Sequence, residues 1–211
     1  MNKFMVFLTA FLVLPMSQAL ANADTGLYDP IPPEGSAFVR FVSLDEADGS
    51  KEATLNDKSL EFVRFKDVSS YFVMPGGPIA TKIGKVKKDF SVEPGNFYTI
   101  VLSKNQDLQI YEDKKNDNQA KAQIIYYNFS PNSNLSLKTN DGKVEIVPPV
   151  ASGKQGAQQI NPVKVSLAVY DGEKLVKDLG AVSLERGHSY SVVTFPNNDI
   201  KWIASSTNTV R

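Results

Sequence analysis

With 211 residues the chain can bury one large core or two small ones, and its 23 basic and 23 acidic side chains cancel. That balance argues against a nucleic-acid binder, which would carry a basic face. One histidine and no cysteine exclude thiol nucleophiles, disulfide staples and any metal site with more than one imidazole ligand.

Residues 1–23 have the three parts of a secretory signal peptide. Lys3 supplies the positive start, and residues 4–16 form an apolar run of thirteen, shorter than the roughly 20 needed to span a bilayer. Ala19-Leu20-Ala21 and Ala21-Asn22-Ala23 are small-x-small cleavage sites. Cleavage removes Lys3 and no other charge, leaving a net of −1, and no cysteine follows to be lipidated. The expected location is therefore the periplasm.

Next comes Leu27-Tyr28-Asp29-Pro30-Ile31-Pro32-Pro33. Three prolines fix φ near −65° and remove N–H donors, so this lead is neither helix nor central strand. It runs into Ala37-Phe38-Val39-Arg40-Phe41-Val42, an apolar strand. Such a lead serves either as a tether to the first sheet or as a docking strip for a partner. Further strands are expected at 60–65, 71–74 and 97–102. Lys82, Lys85, Lys87 and Lys88 form a local basic patch, either a solvated hairpin or edge strand, or a ligand site.

Residues 112–119, EDKKNDNQ, hold no apolar side chain and read as a linker between an N-terminal module, 24–111, and a C-terminal one, 120–211. Two echoes support the division. Residues 92–101 align with 184–193, each carrying Glu, a Gly turn and a Tyr-containing strand, and the strand at 37–42 aligns with 122–127. Within the second module, strands are expected at 122–129, 135–137 and 144–146, with a turn at Asn140-Asp141-Gly142. Residues 148–159, rich in Gly, Gln and Ser, read as a long loop. Val163, Val165, Leu167 and Val169 alternate with polar neighbours, and Asp171-Gly172 turns that strand back at 174–176. Strands at 181–184 and 189–195 complete the second of two tandem antiparallel β-sandwich modules.

Catalytic signatures are missing. There is no G-x-S-x-G elbow, no phosphate-binding Gly loop and no dinucleotide fingerprint, so no cofactor is expected. His188 lies three residues after Glu185 at a predicted turn, with no nucleophile indicated beside it. Asp45/Glu46 and Glu112/Asp113 fall in turns and match no calcium-loop spacing. Aromatic platforms for a sugar would be Tyr170, on the polar face of its strand, and Trp202.

Leu27-Tyr28 followed by Gly35-Ser36-Ala37-Phe38-Val39-Arg40 resembles the mature N-terminus of the AlgF family, periplasmic accessory proteins of alginate O-acetylation. Residues 160–172, INPVKVSLAVYDG, look like that family's Asn-Pro-Val-Lys strand and hairpin, with weaker agreement at Gly95-x-Phe97-Tyr98-Thr99 and Lys138-Thr139-x-Asp141-Gly142-Lys143. The resemblance implies a non-catalytic adaptor. Its partners would be a membrane-bound O-acyltransferase that exports acetyl groups and periplasmic acetyltransferases of the SGNH type. Leu27, Tyr28, Asp29, Pro30, Asn161 and Pro162 are then the expected partner contacts. The alternative is a carbohydrate-binding module that holds alginate on Tyr170, Trp202 and the lysine patch.

Overall fold

The computed structural model describes residues 32–46, 49–131, 134–205 and 207–209, of which 61, 62 and 207–209 are described by backbone only. The expected signal peptide and the lead residues Leu27, Tyr28, Asp29 and Pro30 lie outside this range. The described residues form strands and turns, with no helix among them.

The first half runs through β1 (Ser36–Ser43), β2 (Lys51–Leu55), β3 (Lys58–Val63), β4 (Tyr71–Pro75), β5 (Gly77–Ile83), β6 (Val86–Val92), β7 (Phe97–Leu102) and β8 (Leu108–Asp113). The second half runs through β9 (Ala122–Asn128), β10 (Leu135–Thr139), β11 (Glu145–Val150), β12 (Lys154–Ile160), β13 (Lys164–Asp171), β14 (Lys174–Ser183), β15 (Ser189–Thr194) and β16 (Ile200–Ala204). A last short strand, β17 (Thr207–Thr209), crosses back to the first half.

Four sheets result. The first half has β17-β4-β1-β7-β8 and β3-β2-β5-β6, and the second has β12-β9-β15-β16 and β11-β10-β13-β14. Apart from β17, adding eight to each label of the first half reproduces the second, so the halves share one topology. The sequence echoes fall on β1 against β9 and β7 against β15. The match extends to single hydrogen bonds. Gly95 and Gly187 both take positive φ, +80° and +73°, which glycine adopts without strain. Their N–H groups bond to Ser36 O and Lys121 O at 2.7 and 2.9 Å. Each turn is then pinned by the tyrosine that follows: Glu93 N–H donates to Tyr98 Oη, and Glu185 N–H to Tyr190 Oη, both at 3.0 Å.

Pairing is not wholly antiparallel, as the sequence led one to expect. β1 runs parallel to β7, β9 parallel to β15, and β17 parallel to β4. In each half, β2 to β6 or β10 to β14 intervene before the chain returns beside its first strand, which is the length of connection a parallel pair needs.

The stretch 148–159 is also not a loop but most of two strands, β11 and β12. Pro148 and Pro149 are tolerated because β11 is the edge of its sheet. The glutamines of β12 conceal it from a hydropathy reading because they bond to the end of β8 and to the connection that follows it instead of packing apolar surface. Gln155 Nε2 donates to Glu112 O, and Gln159 Nε2 to Asp117 Oδ1 at 2.7 Å.

Each half places an apolar cluster between its two sheets. Val39, Phe41, Ile100 and Leu102 meet Ala53, Ile79, Ile83 and Val92 in the first half. Ile124, Tyr126 and Val192 meet Leu137, Leu167 and Val169 in the second. In the second half the two sheets close tightly at one edge, where a Cβ on Gly156 of β12 would sit 2.8 Å from Val150 Cγ2.

Two predictions follow from this packing. Tyr98→Phe and Tyr190→Phe each remove one turn-pinning acceptor, so each is expected to cost about 1 kcal/mol in urea denaturation, and by matching amounts. Gly156→Ala forces Cβ against a stiff β-branched neighbour and is expected to cost about 1–3 kcal/mol by the same measurement.

Candidate functional site

β1 and β9 are buried on both faces, which explains why both read as near-continuous apolar runs. Strand alternation sends Val39 and Phe41 into the first-half core, and Ile124 and Tyr126 into the second. The residues between them face the opposite way and meet in a third cluster. Val42, Leu44 and Val101 pack there against Ile125, Tyr127, Phe129, Val193 and Phe195, joining the two halves. At its margin Lys66 pairs with Asp199, and Phe65 meets Phe195 edge-on at 6.3 Å.

Inside this apolar contact sits the most developed polar constellation among the described residues. Arg40 of β1 points between the halves and is 1% exposed. Its Nε donates to Thr99 Oγ1 at 2.9 Å, while Nη2 donates to Tyr127 Oη and Ser191 Oγ, both at 2.9 Å. Thr99 passes its single proton to Asp113 Oδ2 at 2.6 Å, and Tyr127 donates to Asp113 Oδ1. Tyr71 Oη adds a third donor to that carboxyl at 2.7 Å, and its ring lies 4.5 Å from the guanidinium carbon. The direct Arg40–Asp113 approach is long, 3.9 Å, so cation and anion communicate through the two hydroxyls as relays. Since both hydroxyl protons are committed to the carboxylate, the 3.0 Å Thr99–Tyr127 approach is a contact between the two relay oxygens, not a further bond.

The electrostatics follow from burial. Desolvation works against the Arg40 charge, but Tyr127, Tyr71 and Asp113 around it outweigh that penalty and raise its pKa further. Desolvation pushes the Asp113 carboxyl above the usual range, opposed by Arg40 and its three hydroxyl donors. The donor count decides in favour of a carboxylate, because three O–H groups pointing at one carboxyl leave it only the accepting role. Burial likewise raises the Tyr127 and Tyr71 phenols, which stay protonated. Buried and bonded across the contact, the constellation fixes one half against the other.

Of the residues expected at a surface site, the described ones are not gathered into one. Asn161 is exposed between β12 and β13 and accepts a hydrogen bond from Lys121 Nζ at 2.7 Å, with Pro162 half-buried beside it. Tyr170 lies on the face of β13 away from the core, yet it is only 7% exposed. Its Oη donates to Asn140 O, and Lys138 Nζ sits 5.4 Å from the ring centroid, so it is no open platform. Trp202, on β16, stacks on Tyr190 at 5.2 Å and packs on the second-half core. The lysine patch divides across the β5–β6 hairpin. Lys82 and Lys87 are cross-strand neighbours, whereas Lys88 donates to Leu108 O and pairs with Asp107. His188 Nδ1 lies 2.9 Å from Arg186 O, and Glu185 is 3.9 Å from the ring on an exposed turn.

Among the described residues one open apolar groove remains. Between β3 and β4, where the described chain begins, a groove of about 410 Å³ is walled by Leu55, Leu60, Phe72 and Met74. Pro33, Glu34, Asn56, Lys58 and Pro75 also line it.

Sequence reasoning missed Arg40 and Asp113. The signal for Arg40 was a lone cation inside the apolar run AFVRFV; Asp113 was hidden in the charged stretch read as linker.

Fold and constellation together define a class: an all-β protein of two repeated halves fixed by a buried ionic cluster. The family comparison is specific. The model of the family described as "Alginate O-acetyl transferase AlgF" matches residues 9–191. "Alginate biosynthesis protein AlgF" of Pseudomonas putida is 37% identical over 182 residues, covering 86% of this chain and 83% of that one. The protein of the same name from Pseudomonas aeruginosa is 35% identical, covering 85% and 82%. The C-terminal domain of AlgF from P. aeruginosa, a solved structure, is 38% identical with a TM-score of 0.36, covering 41% of this chain and 97% of that one. The chain belongs to the AlgF family.

Arg40→Met strands Asp113 in the interface and is expected to cost about 3–5 kcal/mol in chemical denaturation. Combining it with Asp113→Leu is expected to cost clearly less than the sum of the single changes, the sign of a coupled pair.

Proposed function

We propose that this chain is a non-catalytic adaptor, exported to the periplasm by a cleaved signal peptide and required for O-acetylation of alginate. Family membership supports the pathway, since its relatives are named alginate biosynthesis proteins. In this reading each half is a small β-sandwich. The pair presents fixed surfaces to a membrane-bound O-acyltransferase and to SGNH-type acetyltransferases. The observation that carries the adaptor reading is the Arg40 constellation. Among the described residues, the most developed set of side chains able to polarise or donate protons is buried between the halves, a position that suits holding a shape. His188 and Glu185, by contrast, sit on an exposed turn and only 3.9 Å from each other, which suits a solvated pair. Direct polymer binding is less favoured, because Tyr170 is covered and Trp202 is stacked on Tyr190.

A clean deletion of this gene in an alginate-producing host is expected to abolish acetyl groups on the polymer while leaving polymer yield unchanged. Acetyl content is read by proton NMR of purified alginate; acetylation at the parental level would reject the assignment.

A further inference from the structure

We propose that β17 is a strap between the halves: by pairing with β4 it braces Tyr71 and so holds the Arg40 constellation closed. The proposal rests on the adaptor reading above and names a device that keeps the two halves in the fixed arrangement which that reading needs. Three observations carry it.

The first is the repeat. Without β17 the two inner sheets hold corresponding strands in the same order, β4-β1-β7-β8 and β12-β9-β15-β16. β12, the counterpart of β4, has no strand beyond it in its sheet. A sheet of this design therefore stands on four strands, and β17 is an addition that the sheet itself does not require.

The second is connectivity. β16 pairs with β15 in the second half, and only Ser205 and Ser206 separate it from β17, which pairs with β4 in the first. Every other strand pairing joins strands of one half. Among the described residues, the β17–β4 ladder is therefore the one place where the main chains of the two halves pair. It fastens the halves through backbone, whereas the Arg40 constellation fastens them through side chains.

The third is register, which joins the two fastenings at one residue. Thr207 lies opposite Tyr71, Asn208 opposite Phe72 and Thr209 opposite Val73. On the other side of β4 the pairing with β1 reaches Phe72 and stops there. β17 thus carries the ladder one residue further, to Tyr71. The Tyr71 side chain belongs to the constellation: its Oη donates to Asp113 Oδ2 at 2.7 Å, and its ring lies 4.5 Å from the Arg40 guanidinium carbon. Segments with few backbone pairings open locally at low cost. Without β17, Tyr71 sits at the unpaired end of an edge strand, and each opening of that end takes a donor from Asp113 and a ring from Arg40.

The test compares the full exported chain, labelled with ¹⁵N, with Asn208→Pro and Thr209→Pro made separately. Neighbouring N–H groups of a strand point to opposite edges, so one of these two changes removes a donor from the ladder. In that variant, solvent exchange is expected to quicken about tenfold at the backbone amides of Tyr71, Phe72 and Val73, and equally at the Arg40 Nε–H, with the amides of β13 unchanged. A stop codon in place of Ser206 is expected to reproduce the same pattern; if that shorter chain does not fold, the proline variants decide. Faster exchange on β4 with an unaltered Arg40 Nε–H would make β17 a local edge cover and overturns the proposal, as does unaltered exchange in both proline variants. Complementation separates the two levels. The ladder-breaking variant is expected to lower the acetyl content of alginate at an unchanged protein level. A deletion that abolishes acetylation but is fully rescued by that variant overturns the strap alone, whereas a deletion without effect overturns the adaptor reading beneath it.

Discussion

Everything else in this molecule is arranged around a guanidinium taken out of water. Removing an ion of that size from solvent costs several kcal/mol even after relaxation, and the attraction of one carboxylate at 3.9 Å does not by itself repay it. The remainder comes from hydroxyls on both halves, which accept from Arg40 and donate to Asp113. The halves are thus held in one register, because Tyr127 and Ser191 reach Arg40 only when β9 and β15 lie against β1 and β7. Bulk stability comes from the apolar contact around it, where each fully buried Val, Ile or Phe contributes about 1.5–3 kcal/mol. The ionic cluster chooses among ways of stacking two sheets that apolar packing alone would tolerate.

This division of labour also accounts for an inner layer so different from the outer sheets. The strands β1, β7, β9 and β15 serve a core on one face and the contact between halves on the other. Lys82 and Lys87, by contrast, face each other across strands of an outer sheet. Polar residues buried in the inner layer, such as Thr99, Gln123 and Ser191, have partners that belong to a different strand or to the connection between halves. Any surface available for a partner is therefore found at edges, turns and outer faces.

Much of the fold was legible in sequence because it depends on short-range signals. The two echoes named the repeat, Gly95 and Gly187 named its turns, and alternation at residues 163–169 named β13. What escaped depends on distant partners. Residues 148–159 look like a loop until Gln155 and Gln159 are seen bonding to a chain segment some 40 residues away in sequence. Asp113 looks like part of a solvated run until the second half covers it. Tyr170 was placed on the outward face and is there, but alternation says nothing of a ring lying flat under Lys138. The groove beside β3 was invisible for the same reason. An empty space between two strands is a property of their separation in space, not of either sequence.

The matched halves meet through matched strands. Val42 and Tyr127 are counterparts in the repeat, as are Leu44 and Phe129, and Val101 and Val193, and all six lie in the contact between the halves. Geometrically this is a twofold-like association of two identical subunits, written into a single polypeptide. In a genuine symmetric pair every side chain at the contact arrives twice, and a buried arginine would bring its own duplicate with it. Here the counterpart of Arg40 is Ile125, and that of Thr99 is Ser191. Joining the copies in one chain let the two sides diverge, so that a single cation and a single anion could be placed where symmetry would have forced a second of each.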